Sequence, residues 1–153
     1  DFSVAVAGFP EGHIACKAGR ETDWRHLKSK VDCGADAVLT QLFFDNADFF
    51  RFREHLTRLG VTRPIVPGVI AILSASQIKK FTQLSGARIP EELAASLEKI
   101  QGDDAAAAEF GIEYATRQCE GLLQAGVPGL HFYTLNKAGS TTRILQNLNL
   151  SRP

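Results

Sequence analysis

Methionine is absent from this sequence, cysteine occurs three times, and neither sign of charge is in excess. Without methionine the chain has no initiator, and Asp1-Phe2 runs straight into an apolar segment, so a fragment or a processed chain is expected. Cys16, Cys33 and Cys119 are odd in number, far apart and contain no CxxC pair. That argues against a disulfide framework or a zinc site and fits a reducing, cytoplasmic setting. Seventeen basic residues against seventeen acidic ones leave no net charge, which argues against a general binder of nucleic acid or anionic membrane. No apolar run approaches the roughly 18 residues that span a bilayer, and no secretory signal opens the chain. Patterns of the GxGxxG, Walker, HExxH and GxSxG kinds are missing too, and no nucleophile stands beside its own base.

What remains is an alternation of strands and helices in a chain of 153 residues, long enough for one domain with a proper core. Ser3–Ala7 is a continuous apolar run, as expected of a strand buried on both faces. A helix follows from near Thr22 to Cys33-Gly34, with Trp24, Leu27 and Val31 facing the sheet. Ala37–Gln41 is the second strand. Asp45 or Asn46 caps a helix whose core stripe is Phe49, Phe52, Leu56 and Leu59 and which Gly60 ends. Pro64–Ile70 is the third strand, its prolines assigned to an end or a bulge. Ser74 and Gln77 form a capping box. Two more helices run from Pro90, placed at the first helical position, to about Ile100 and from about Asp104 to Gln124. Gly129–Tyr133 is the fourth strand, and a last helix covers about Thr141 to Leu148.

Strands alternating with helices imply a parallel α/β sheet with right-handed crossovers. Four such units close as a small open sheet or form half of an eight-unit barrel, and periodicity leaves both open. In either case ligands are expected at the carboxyl ends of the strands. Three of those ends carry polar and aromatic groups: Phe9-Pro10-Glu11-Gly12-His13, Thr40-Gln41-Leu42-Phe43-Phe44-Asp45, and Tyr133-Thr134-Leu135-Asn136-Lys137.

Each candidate residue has a plain and a functional reading. His13 is a loop histidine, or, with Phe9 and Glu11, part of a site for a planar ring. Asp23, His26 and Lys30 form a solvated helix face or, with Ser29, an anion-binding one, since lysine holds phosphate as a point charge. Gln41 closes the end of a strand or reads a heterocycle edge with adjacent N–H and C=O groups. Gln77 is a cap, and Phe81 one turn later is core; together they also suit a polar edge and a stacking platform. Lys137 is a surface lysine or a carboxylate contact at the strand mouth.

The strings VAGFPEGH, DxxHLKxKVDxGAD, TQLFFD, PIVPG and HFYTLNK occur in this order and together resemble methylenetetrahydrofolate reductase over nearly the whole chain, to about Leu148. The resemblance implies that residues 1–153 are the second half of a flavin-dependent (β/α)8 TIM barrel. NADH or NADPH would reduce FAD, and the reduced flavin would convert 5,10-methylenetetrahydrofolate to 5-methyltetrahydrofolate, a step of one-carbon metabolism and methionine biosynthesis. By matching position, Phe9, His13 and Cys16 lie in the flavin loop. Asp23, His26, Ser29 and Lys30 match the helix that holds the FAD ribose and diphosphate. Gln41 matches the pterin-binding glutamine, and Gln77, Phe81, Tyr133 and Lys137 fall at folate or nicotinamide contacts. Phe9 replaces a common tyrosine, and Lys137 a common arginine, keeping the charge without the bidentate fork. Ala71 and Ile14 stand where prolines are common.

The family's acid, a glutamate on the first strand of the barrel, has no counterpart, so no catalytic residue is expected in this chain and it is expected to be inactive alone. Its expected partners are the folate, the missing N-terminal half and a homo-oligomer, with no nucleic acid, membrane or metal. Two other readings stand beside this one: a non-catalytic α/β fragment or interaction module that no longer binds flavin, and a phosphate-binding barrel lyase. The lyase would need a Schiff-base lysine or a metal site, and no strand carries an obvious one.

Overall fold

The computed structural model describes residues 2–150, the side chains of Ala75 and Lys79 excepted. Asp1 and residues 151–153, at the limits of the expected 1–153 domain, lie outside the described residues. In chain order the elements are β1 (Ala5–Gly8), α1 (Arg20–Asp32), β2 (Ala37–Leu42), α2 (Asn46–Arg58) and β3 (Ile65–Val69). There follow α3 (Ala75–Ser85), α4 (Glu91–Lys99), α5 (Asp104–Gln124), β4 (His131–Phe132) and α6 (Gly139–Asn147). The strands form one sheet in the order β1-β2-β3-β4, every neighbouring pair parallel. All four carboxyl ends therefore open at the same edge.

The helices begin where the sequence supplies an acceptor for their free N–H groups. Asp45 accepts from the Ala47 N–H at 2.9 Å and Asp103 from the Ala106 N–H at 2.9 Å. Ser74 accepts from the Gln77 N–H at 3.2 Å. Pro90 precedes α4 as its cap with an extended ψ of 145°, one position earlier than its expected place. The paired part of β4 is shorter than expected, with only Gly68↔His131 and Val69↔Phe132 in register.

Alternation along the strands separates two faces of the sheet. Val38 and Ile65 lie in one row and belong to the main core, packed with Trp24, Leu27 and Val31 of α1 and Phe49, Phe52 and Leu56 of α2. Ile112, Ala115, Cys119 and Leu122 of α5 and Ile144 of α6 complete it. Phe49, Phe52 and Leu56 are entirely buried. Truncating one such aromatic ring costs about 3–5 kcal/mol, so this stripe fixes α2 against the sheet. Cys119 is inert in the same core, its thiol pushed up to about 12 by burial and by the Glu120 charge.

The opposite row, Ala7, Leu39 and Val66, joins neither core cluster. The expectation that β1 is buried on both faces is corrected here: Ala5 and Ala7 are exposed, and Val4 is 51% exposed. β1 is an edge strand, and among the described residues no second layer covers its Ala5–Ala7 face.

A second apolar cluster caps the strand ends, where Leu42, Phe44, Ile70 and Ile72 meet Ile78 of α3 and Leu93 and Leu97 of α4. Charges lash this cap down. The Arg88 guanidinium donates to Asp45 and Asp48, each at 3.1 Å, and the Arg88 backbone N–H donates to Glu11 at 2.9 Å. Arg88 thereby joins the loop after β1, the start of α2 and the α3–α4 connection. Asp48 is buried and has a second partner in Arg51 at 3.1 Å. Burial pushes the Glu11 carboxyl above its ordinary range, and the Asp48 and Asp45 charges add to the effect; the Arg88 N–H and guanidinium oppose it.

Among the described residues no helix is long and apolar enough to cross a membrane, and no three His, Cys, Asp or Glu residues gather as metal ligands.

Two consequences can be measured. A Cβ built on Gly111 of α5 would stand 1.8 Å from the Ile72 carbonyl oxygen. Helix propensity alone favours alanine there by roughly 1 kcal/mol, but an overpacked backbone contact costs about 1–3 kcal/mol or more. Gly111→Ala should therefore lower the urea midpoint, and a raised midpoint would show that α5 does not press on the Ile72 backbone just after β3. For Glu11 the folded chain holds the proton more tightly than the unfolded one. Its contribution is thus greatest when protonated and declines as pH rises through its raised folded-state pKa. Glu11→Gln keeps an acceptor for Arg88 without the charge, so it should flatten this decline; superimposable stability–pH profiles would contradict the assignment.

Candidate functional site

The mouth of the sheet is built by three strand ends and by α3, which folds back over them. A cavity of about 190 Å³ opens there, lined by Gln41, Leu42, Ile70, Phe81, Leu84, Ser85, Tyr133 and Leu135. It brings together three of the five expected substrate residues: Gln41, Phe81 and Tyr133. Gln41 is half-buried, and its Oε1 accepts from the Leu42 N–H at 2.9 Å. Its amide N–H groups have no partner among the described residues. The carboxamide thus offers donors to the cavity. Tyr133 donates its hydroxyl to the Thr40 carbonyl at 2.9 Å, and burial raises its phenol pKa. The phenol stays a neutral donor.

Leu135 and Asn136 follow with φ of 50° and 61°. A left-handed leucine is uncommon and mildly strained, and this turn sets Leu135 into the cavity wall. Lys137 is exposed in the same turn, and its side chain has no protein partner among the described residues. Gln77 stands apart. Its Oε1 accepts from the Leu73 N–H at 2.8 Å, so its amide oxygen closes the start of α3.

A second group lies beside β1. Phe9 and His13 meet edge to face with ring centroids 4.4 Å apart. Asp23 accepts from the His13 N–H at 3.1 Å, and the Trp24 indole donates to the Phe9 carbonyl at 2.8 Å, so α1 holds the loop in place. His13 Nδ1 accepts from the Ala15 N–H at 3.1 Å. Cys16 is half-buried in the same loop, its thiol 3.6 Å from the Gly19 carbonyl. Farther along α1, Ser29 and Lys30 line a cavity of about 380 Å³ with Val4, Val6 and Cys33, on the α1 side of β1 at the amino ends of β1 and β2. Ser29 donates to the Arg25 carbonyl at 3.2 Å. Neither His26 nor Lys30 has a protein partner among the described residues, and both are exposed. From Asp23 to Lys30 the helix rises by about 10 Å, giving a long polar strip that starts at the strand mouth.

Two features lay outside the sequence reading. Thr40 is fully buried at the strand end, and its hydroxyl accepts from the Gly68 N–H at 2.8 Å. The one sequence signal was a hydroxyl inside an apolar run. Arg88 had no signal at all, because its partners lie 40 to 77 residues away in the chain. A larger cleft of about 520 Å³ lies between the start of α2, α4 and α5 and is lined by Asp45, Glu92, Tyr114 and Arg117 among others. It holds none of the expected site residues.

Comparison with known proteins bears on this geometry. Residues 1–149 match the family model described as methylenetetrahydrofolate reductase. Methylenetetrahydrofolate reductase (NADH) 1 of Arabidopsis thaliana is 40% identical over 160 residues, covering 97% of this chain and 26% of that protein. The 5,10-methylenetetrahydrofolate reductase of Salmonella typhimurium is 34% identical over 150 residues, covering 98% of this chain and 50% of that protein. The chain thus spans between a quarter and a half of the length of these curated relatives. Among solved structures, an uncharacterized Clostridium thermocellum protein that binds two copies of 5-methyl-5,6,7,8-tetrahydrofolic acid superposes with a TM-score of 0.60. The match covers 98% of this chain and 54% of that one at 16% identity, and it bears on the fold alone. On the family match over residues 1–149 and the identity to both reductases, this chain belongs to the methylenetetrahydrofolate reductase family.

Proposed function

We propose that this chain is the C-terminal half of a flavin-dependent (β/α)8 barrel that reduces 5,10-methylenetetrahydrofolate to 5-methyltetrahydrofolate. The observation that carries this reading is the cavity gathering Gln41, Phe81 and Tyr133 at the ends of parallel strands. Its aromatic walls and donor amide suit a flat, nitrogen-rich ring. Relatives described as using NADH and as using NADPH both occur, so either nucleotide serves as the reductant in this reading.

The uncovered Ala7–Leu39–Val66 row supports the half-barrel. An apolar sheet face and a free edge strand call for further strands to complete the layer. Those strands would come from the upstream part of a longer chain. Alone, residues 1–153 are expected to self-associate through this face.

The residues beside β1 fit FAD. Among the described residues Lys30 and His26 have no protein partners, and the polar strip along α1 is elongated as a dinucleotide is. Lys30 and Ser29 would hold the diphosphate, Asp23 and His26 the ribose, and the Phe9–His13–Cys16 loop the flavin end. When bound, FAD supplies the hydride relay between nicotinamide nucleotide and folate. Gln41 then orients the pterin, Phe81 stacks on it, Tyr133 walls it, and Lys137 faces the glutamate tail with a single charge. Gln77 contributes through its free amide nitrogen or only by fixing α3. The proton that opens the imidazolidine ring comes from a glutamate on the absent first strand. The three thiols are free, in keeping with a cytoplasmic setting.

Residues 1–153 expressed alone should show no NAD(P)H–menadione oxidoreductase turnover, whereas the full-length protein should purify yellow and turn over. Turnover by the short chain near the full-length rate would contradict the division of the site. A colourless, inactive full-length protein would favour the non-catalytic reading.

A further inference from the structure

The cavity amide depends on an irregular step in the sheet. β2 and β3 run in register at Leu39↔Val66 and again at Leu42↔Gly68, so Thr40 and Gln41 together stand opposite Pro67 alone. Such a bulge inserts one residue, bends its strand and re-aims a side chain. At this step the Gly68 N–H goes to the Thr40 hydroxyl at 2.8 Å. The Thr40 carbonyl takes its donor from the Tyr133 hydroxyl, at 2.9 Å and 93 residues away in the chain.

We propose that Tyr133 is a positioning residue: its hydroxyl, through the Thr40 carbonyl, fixes the bulge that presents the Gln41 carboxamide to the cavity. The Thr40–Gln41 peptide is pinned by this bond on one side. On the other, the Gln41 Oε1 is pinned by the Leu42 N–H at 2.9 Å, which leaves only the amide N–H groups facing a ligand. Packing is fitted to the arrangement. A Cβ on Gly68 would stand 2.3 Å from the Thr40 oxygen and 2.7 Å from Tyr133 Cε2, so only glycine lets the ring and the carbonyl meet. The His131 ring stands edge-on to Tyr133 with centroids 4.9 Å apart and sets the other side. Thr40 is fully buried, so no solvent competes for its carbonyl. Because burial raises the phenol pKa, the donor persists at neutral and mildly alkaline pH.

This deepens the proposed function, since it rests on Gln41 addressing the folate ring, and it gives Tyr133 a role beyond that of a cavity wall. A wall needs only the ring; a positioner needs the hydroxyl. The test is a double-mutant cycle on 5-methyltetrahydrofolate affinity in the full-length, flavin-loaded protein. Tyr133→Phe should weaken binding about fivefold, the worth of one neutral hydrogen bond. The same change made in a Gln41→Leu background should have no further effect. Tyr133→Phe binding as wild type, or losing the same factor again beside Gln41→Leu, would overturn the proposal. If Gln41→Leu itself leaves affinity unchanged, the folate reading of the site fails instead. The positioning claim then stands or falls on the Gln41 side-chain amide resonances of the unliganded protein. Displaced resonances in Tyr133→Phe support it, and resonances at their wild-type positions overturn it. Thr40→Val, which removes the hydroxyl that holds Gly68, should displace the same resonances and guards against a Tyr133→Phe protein that folds poorly.

Discussion

The pairing of β2 with β3 is the constraint on which the rest of the molecule depends. Below the step it is a regular parallel ladder whose outer row, Val38 and Ile65, anchors the core formed with α1, α2 and α5. Above the step the ladder gives way to side-chain hydrogen bonds, and the chain uses that irregularity to build a cavity rather than another turn of sheet. A continued ladder would have satisfied the Thr40 carbonyl from β3, leaving the Tyr133 hydroxyl without that partner. The core supplies the stiffness that lets such a small exchange of donors be held in one arrangement.

The sheet is covered on one face only, and this asymmetry explains the distribution of the expected site residues. Gln41, Phe81 and Tyr133 converge because β2, α3 and β4 are all present and packed. The flavin-side residues form instead a strip along α1 that runs from the strand mouth to the amino ends of β1 and β2. Among the described residues the His26 and Lys30 side chains of this strip have no protein partner, and the proposed reading makes the strip one wall of a shared site. In the proposed reading the other wall arrives with the preceding strands of the barrel. The Arg88 lash serves the same economy of parts: with Glu11, Asp45 and Asp48 it holds the α3–α4 cap, and so Phe81, over the mouth.

Much of this was legible in the sequence, for identifiable reasons. The order of strands and helices, the stripe Trp24–Leu27–Val31, the caps at Asp45 and Ser74 and the stop at Gly60 are local signals, and local physics reproduces them. The alternative placed at the prolines of β3 also held, with Pro67 at the bulge and Pro64 just before the strand. What escaped were contacts between residues far apart in the chain, such as Tyr133 with Thr40 and Arg88 with Glu11, which carry no periodicity. The burial of β1 was misread because an apolar run gives both faces of a strand the same signal, whereas only the Val6 face is packed and Ala5 and Ala7 are exposed. Gln77 shows the opposite limit: the Ser74 half of its capping box holds, but its amide oxygen takes the Leu73 N–H rather than the Ser74 N–H, and that local bond uses up the oxygen that a ligand would otherwise need.

The central claim is that the small cavity at the strand ends, and not the larger cleft between α2, α4 and α5, receives the folate ring. The most direct measurement is a crystal structure of the full-length protein with 5-methyltetrahydrofolate. The account predicts the pterin within hydrogen-bonding distance of the Gln41 amide, with its face against Phe81. A folate lodged in the cleft beside Tyr114 and Arg117, with the Gln41 amide making no contact to it, would contradict the account.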